Sequence, residues 1–179
     1  MSQFRITRKF AADCHIKSLY EPAITLFALD DWFVDCVTLN RRKYAMLTHG
    51  QTALTFMIAY SEAGGAKNIP TYFKKVLIDY FKQQNLLSLI PEVENIFRGA
   101  AMFTKTVDRK VLGHMNDFKH CAAAYVEKRA TVDSMKLAKY INQVPMKVEK
   151  NFYASPFENF NSVFNCNLPK QPSRLLSSD

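Results

Sequence analysis

The chain has 179 residues, 48% hydrophobic and 13% aromatic, and its 24 lysines and arginines against 16 aspartates and glutamates leave a formal charge of +8 at pH 7. Five glycines and seven prolines exclude a collagen-like or low-complexity polymer, and the apolar content excludes general disorder. The length suits one domain with a sizeable core, folding alone or as a simple homo-oligomer.

Arg5, Arg8, Lys9 and Asp13 interrupt every apolar stretch at the start, so no secretory signal is read and a cytoplasmic protein is expected. No window offers the ~18 uncharged apolar residues of a spanning helix, and no membrane association is expected. Phe4 to Thr7 alternates as a short strand, and Arg8 to Leu19 reads as a helix with Phe10, Ala11, Cys14 and Leu19 on one side. Beyond Pro22, Trp32 to Leu39 and Tyr44 to Thr48 are rich in β-branched and aromatic residues around the polar turn Asn40-Arg41-Arg42-Lys43, which predicts a hairpin. Thr52 to Tyr60 suits a third strand or a short buried helix equally. Gly64-Gly65 marks a loop, after which Pro70 opens a helix with Tyr72, Phe73, Val76, Leu77, Tyr80 and Phe81 at helical spacing. Pro91 opens a shorter helix from Glu92 to Phe97. Ala101 to Thr106 reads as a strand, followed by helices from Arg109 to Lys128 and from Val132 to Asn142. The expected fold class is α+β: a small, mainly antiparallel sheet made from the Trp32 to Thr48 hairpin and the Ala101 to Thr106 strand, packed by four to five helices in a single domain. That domain is expected over residues 1–145, with 146–179 a C-terminal extension that packs at first and loosens from about residue 169.

The most informative stretch runs from Phe103 to Phe118. Thr106 or Asp108 is placed to cap the helix, and Val111, Met115, Phe118, Ala122 and Tyr125 form its core stripe. Arg109, Gly113, Asn116 and His120 share a second face. Glycine inside a helix costs roughly 1 kcal/mol relative to alanine, which calls for a reason. Two readings stay open. Gly113 admits close packing of another element while Arg109 and Asn116 bond to neighbouring loops; or Lys105, Thr106, the helix start and Arg109 form an anion cradle, with Gly113 allowing approach and Asn116 or Asp117 orienting a phosphate or carboxylate. The GxxxxGK[ST] run of a P-loop is absent.

These residues resemble an uncharacterised bacterial family known only as a domain of unknown function. Its members carry a Gly-Asp-Trp entering a strand, an Arg-Arg hairpin turn with a threonine shortly after, and a run close to F-x-K-T-x-N-R-S-V-L-G-S-M-N-D. The matching positions are Asp31-Trp32, Arg41-Arg42 with Thr52, and Phe103 through Asp117, with Asp30, Asp108, Lys110 and His114 standing where the family pattern has Gly, Asn, Ser and Ser. The resemblance covers roughly residues 1–145 and implies a compact α+β domain with a shared special segment; it implies no activity.

Cys14, Cys36, Cys121 and Cys166 are scattered and show no CxxC or CxH spacing, so reduced, mostly buried thiols are expected. His114 and His120 lie six apart on one helix, unlike the i, i+4 pair of a zincin, and neither a metal site nor a cofactor is expected. No catalytic set is complete; His114 and Asp117 are the first candidates for acid–base work. Residues 100–150 hold ten lysines and arginines against five acids, and Arg41, Arg42 and Lys43 cluster on the hairpin. The leading expectation is a non-catalytic binding or accessory protein whose basic face, Arg41, Arg42, Lys43 and Lys110 with Lys105 and Arg109, engages nucleic acid or another polyanion. The alternatives are an enzyme or small-anion binder using the Lys105 to Asp117 cradle, and a protein-interaction module.

Overall fold

The computed structural model describes residues 2–24, 29–127, 129, 132–149 and 152–164. Its elements are β1 (Gln3–Ile6), α1 (Arg8–Asp13), β2 (Asp31–Leu39), β3 (Arg42–His49), β4 (Thr55–Ala59), α2 (Tyr60–Ala63), α3 (Ile69–Gln83), α4 (Ile90–Ile96), β5 (Met102–Lys105), α5 (Arg109–Glu127), α6 (Ser134–Ile141), β6 (Met146–Glu149), β7 (Phe152–Ala154) and α7 (Pro156–Val163). This is an α+β arrangement around a five-stranded sheet in the order β4-β3-β2-β1-β5, with β6 and β7 forming a separate hairpin.

The sheet is mixed, and here the structure departs from the mainly antiparallel expectation. The β2-β3-β4 meander is antiparallel, whereas β1 lies parallel to both β2 and β5, with Gln3 opposite Asp31 on one side and Met102 on the other. Parallel pairing is reached through a crossover, because β1 must pass through α1 before returning as β2. The β2-β3 hairpin turns on Asn40 and Arg41, with φ of 44° and 63°. Two consecutive left-handed residues give a turn that matches strand twist, a conformation that asparagine tolerates and arginine adopts at a cost. Asn40 Nδ2 also donates to the Val126 carbonyl at 3.2 Å, tying the turn to the far end of α5.

Helices cover both faces of the sheet, which is why β2 is buried along almost its whole length instead of alternating. On the first face Phe4, Ile6, Trp32, Val34 and Phe56 pack against Phe10 of α1, Phe73, Leu77 and Tyr80 of α3, Val93 and Ile96 of α4, and Phe160 of α7. Trp32 meets Phe73 edge-on, with ring centroids 4.6 Å apart. On the second face Phe33, Val37, Met46 and Met57 pack against Val111, Met115 and Phe118 of α5 and Leu137 and Ile141 of α6.

Thr7 caps α1 by accepting from the Phe10 N–H, but the helix ends at Asp13 instead of Leu19. His15 takes a left-handed φ of 57°, and the chain then runs beside β5, where Tyr20 N–H donates to the Phe103 carbonyl and the Tyr20 carbonyl accepts from Lys105 N–H. Pairing with an exposed strand edge wins over continuing the helix. Packing continues past residue 145: Ser155 and Glu158 form a capping box for α7, and Phe160 is fully buried. Cys166 and the stretch expected to loosen from residue 169 lie outside the described residues.

Candidate functional site

β1 and β5 are parallel neighbours, yet the helices that follow them go to opposite faces: α1 packs with Phe4 and Trp32, α5 with Phe33 and Val37. Where two such connections diverge, the sheet leaves a crevice outside the carboxyl ends of its strands. A cleft of about 510 Å³ lies there, lined by Ile6 from β1, Arg8, Ala11 and Ala12 from α1, Ile16, Lys17 and Leu19 from the segment after it, and Lys105, Thr106 and Val107 from the end of β5. Three of these side chains are cations and none is a carboxylate. Lys105 is paired with Glu21, an exposed acid outside the lining, whereas Arg8 and Lys17 have no ion-pair partner among the described residues. The Thr106 hydroxyl, and that of the fully buried Thr104 two residues earlier on the strand, are buried with no hydrogen-bond partner among the described residues.

On the second face two largely buried ion pairs follow one another along β2, the first at its start and the second level with the end of β1. Arg5 Nε donates to Asp31 Oδ1 at 2.5 Å, and its guanidinium lies over the Phe33 ring. Lys119 Nζ donates to Asp35 Oδ2 at 2.6 Å and to Asn116 Oδ1 at 3.2 Å, while Thr7 Oγ1 donates to Asp35 Oδ1 at 2.5 Å. Burial pushes the Asp35 carboxyl up, but the hydrogen bonds from Lys119 and Thr7 outweigh it, and the group sits below the ordinary aspartate value. Thr7 thereby links this strip to the cleft, since its neighbours Ile6 and Arg8 both line it.

Of the expected cradle, the structure places Lys105 and Thr106 in the cleft. Arg109, Gly113 and Asp117 are exposed on α5, and Asn116 joins Lys119. The close-packing reading of Gly113 is corrected: a Cβ there would meet nothing within 4 Å. Asp108, not Thr106, caps α5, accepting from the Lys110 and Val111 N–H groups at 2.8 and 3.2 Å. Lys110 reaches the Val148 carbonyl and, with Asp108, His114, Gly50 and Asn159, lines a small cavity of about 50 Å³. Burial and then the Lys110 charge push the His114 imidazole below its ordinary value, which favours its neutral form. Arg41 and Arg42 are exposed at the hairpin turn, and Lys43 is held by Asp13 at 2.7 Å. Lys110 stands near the start of α5 and this turn near its end, about 24 Å away at 1.5 Å per helical residue, so the basic residues do not make one compact patch.

Among the described residues no group of three or more His, Cys, Asp or Glu is placed to hold a metal ion, and no helix is long and apolar enough to cross a membrane. A family model described as a domain of unknown function (DUF6933) matches residues 3–159. The chain belongs to the DUF6933 family. No curated protein matches it. The DUF6933 match runs from β1 into α7 and so takes in the cleft, both ion pairs and the small cavity. Several motif residues have structural work. Trp32 is core; Thr52 Oγ1 bonds His49 Nδ1 at 2.8 Å within the β3-β4 turn; and Asp31 lies against Gly50, outside the motifs, where a Cβ would approach Asp31 Oδ2 at 3.0 Å and Phe33 at 3.1 Å. Sequence reasoning missed Arg8 and Lys17 as lining residues. The available signal was the order strand, helix, strand over the first forty residues, which reads as a crossover with a crevice at its strand ends.

Proposed function

We propose that this DUF6933 protein is a cytoplasmic binding protein that takes a small anionic ligand in the cleft between β1, α1 and β5. The observation that carries the reading is a concave surface of about 510 Å³ lined by Arg8, Lys17 and Lys105 and by no acid. Cations lining a concave surface with apolar walls focus their field on an anion more than the same charges on a convex surface do. Arg8 supplies a planar fork suited to paired oxygens, and Lys17 and Lys105 act as point charges. Free thiols at Cys14, Cys36 and Cys121 support the cytoplasmic placement. Calorimetric titration with short-chain carboxylates and phosphate esters tests the reading. Saturable binding that Arg8→Ala weakens at least tenfold supports it; binding that Arg8→Ala and Lys105→Ala leave unchanged overturns it.

A second reading, a polyanion surface at the hairpin, is favoured by one observation. Arg41 holds a left-handed φ of 63° at the turn, and it and Arg42 are exposed with no acidic partner among the described residues. Under this reading a nucleic acid contacts Arg41 and Arg42 and extends along the outer row of α5, past Asn116, Gly113 and Arg109 towards Lys110. Anisotropy of labelled single- and double-stranded oligonucleotides should then fall steeply with salt and with Arg41→Ala/Arg42→Ala. Absence of binding at low salt removes this reading and leaves the cleft.

A further inference from the structure

The lining of the cleft also limits the body of its ligand. We infer that the ligand is an amphipathic anion, one carboxylate or phosphate head on an aliphatic or aromatic body; the inference rests on the anion-binding reading above. The cations account for only part of the wall. Ile6, Ala11, Ala12, Ile16, Leu19 and Val107 supply the rest. Arg8, Ala11 and Ala12 are spaced i, i+3 and i+4, so the guanidinium stands at one end of a helical stripe whose next turn presents only methyl groups. Ile6 lies opposite Lys105 in the β1-β5 register, which sets an apolar side chain beside the second cation at the strand ends. Val107 is 65% exposed and Ile16 and Leu19 are half-buried, so apolar surface remains for a ligand to cover.

Size argues the same way. A space of about 510 Å³ is well beyond what an inorganic phosphate alone fills. A mineral anion bound at Arg8 leaves the Ala11, Ala12 and Val107 surface wet, whereas an alkyl or aryl body removes it from water. The volume also falls within the range of preformed small-molecule sites, which combine apolar walls with a few placed polar groups.

Calorimetry on the full chain at constant ionic strength tests this, with acetate, hexanoate, octanoate, 1-octanol, inorganic phosphate and phenyl phosphate as probes. Affinity should rise along the carboxylates by two- to fourfold per methylene, the upper figure being full burial. Phenyl phosphate should exceed inorganic phosphate, and the tighter of phenyl phosphate and octanoate assigns the head. Arg8→Ala should weaken octanoate at least tenfold and leave octanol unchanged. Ala12→Trp, at an exposed position lining the cleft, should fill it and weaken octanoate, and Lys17→Glu should do so without touching the core. Acetate binding as tightly as octanoate, both dependent on Arg8, overturns the amphipathic ligand while keeping the anion site. Octanol binding as tightly as octanoate, or no binding by any probe, overturns the anion site as well. Undiminished octanoate binding by folded Ala12→Trp and Lys17→Glu variants overturns the location.

Discussion

Asn142, at the end of α6, closes the β4 edge of the sheet with its side chain, and its removal should be the most damaging single change outside the aromatic core. Its Nδ2 donates to the Thr55 carbonyl at 2.8 Å and its Oδ1 accepts from the Thr55 N–H at 2.7 Å, reproducing the pair of bonds that another strand would make there. Both Asn142 and Thr55 are fully buried. Alanine leaves one backbone donor and one acceptor unpaired away from water. At about 1–3 kcal/mol for each unsatisfied group, the loss should be about 2–6 kcal/mol, reduced where a water enters the vacated space. At about 2–4 °C per kcal/mol for a chain of this size, that is a fall in Tm of about 4–24 °C. Urea unfolding is the assay, with the buried Trp32, the chain's one tryptophan, as fluorescent reporter. Asn142→Asp separates clip from volume. It keeps the acceptor for Thr55 N–H but opposes a carboxylate to the Thr55 carbonyl, so its defect should ease at acid pH, where the protonated group can donate. A loss below about 0.5 kcal/mol for Asn142→Ala, with an unchanged m-value, would refute the reasoning, since that is the range of an inconsequential surface change.

Three further outcomes are expected. Gly113→Ala should stabilise the protein by up to about 1 kcal/mol, because the new methyl meets nothing within 4 Å and the helix loses its glycine penalty; an unchanged or lower Tm would contradict this. Asp35 has a folded-state pKa below its ordinary value, so its contribution is full above the unfolded value near about 3.9 and is lost as pH falls through the folded one. Asp35→Asn should therefore be less stable than the parent at pH 7 and show a flatter acid limb; an identical slope of stability against pH below about 4 would show that the Lys119 and Thr7 bonds contribute nothing. Burial pushes the Cys14 thiol up to about 11 and raises Cys36 as well, while Cys121 is only half-buried. Among the described cysteines, native alkylation at pH 8, read by peptide mass spectrometry, should reach Cys121 before Cys14 and Cys36, which stay unmodified until denaturant is added; fast native labelling of Cys14 would count against its burial.

What could be read from the residues was local. The Trp32 to Thr48 hairpin is legible because its two strands flank a two-residue turn, and α3 and α5 because their core stripes repeat within one element. The neighbours of β1 were not legible: its pairing with β5 joins residues about a hundred positions apart, and nothing in Gln3–Ile6 encodes that partner. The same long-range contact shortened α1, since Tyr20 gains a strand edge that its own neighbours do not announce. Lys105 and Thr106 were legible as site residues because the junction of β5 with α5 was. Arg8 and Lys17 were not, because α1 meets Lys105 only after β1 has inserted between β2 and β5.

Net charge alone does not discriminate between the two functional readings; the partners of each cation do. Arg5, Lys43 and Lys119 are each tied to a largely buried carboxylate and contribute little field beyond their own pairs, whereas Lys105 shares its charge with the exposed Glu21 in a solvated pair. Arg8, Lys17, Arg41 and Arg42 have no such partner among the described residues, and they differ in the surface that surrounds them. Arg41 and Arg42 stand on a convex turn in high dielectric, where a single phosphate gains about 1 kcal/mol or less per contact, and useful affinity there demands a ligand long enough to make many contacts. Arg8 and Lys17 line a recess with apolar walls, where the body of a ligand adds burial to the attraction of its head group. A small ligand therefore discriminates for the cleft and a long one for the hairpin. Arg8→Ala and Arg41→Ala/Arg42→Ala, each titrated with octanoate and with an oligonucleotide, decide between them: if only the cleft is functional, octanoate alone binds and only Arg8→Ala weakens it, and if only the hairpin is, the oligonucleotide alone binds and only Arg41→Ala/Arg42→Ala weakens it.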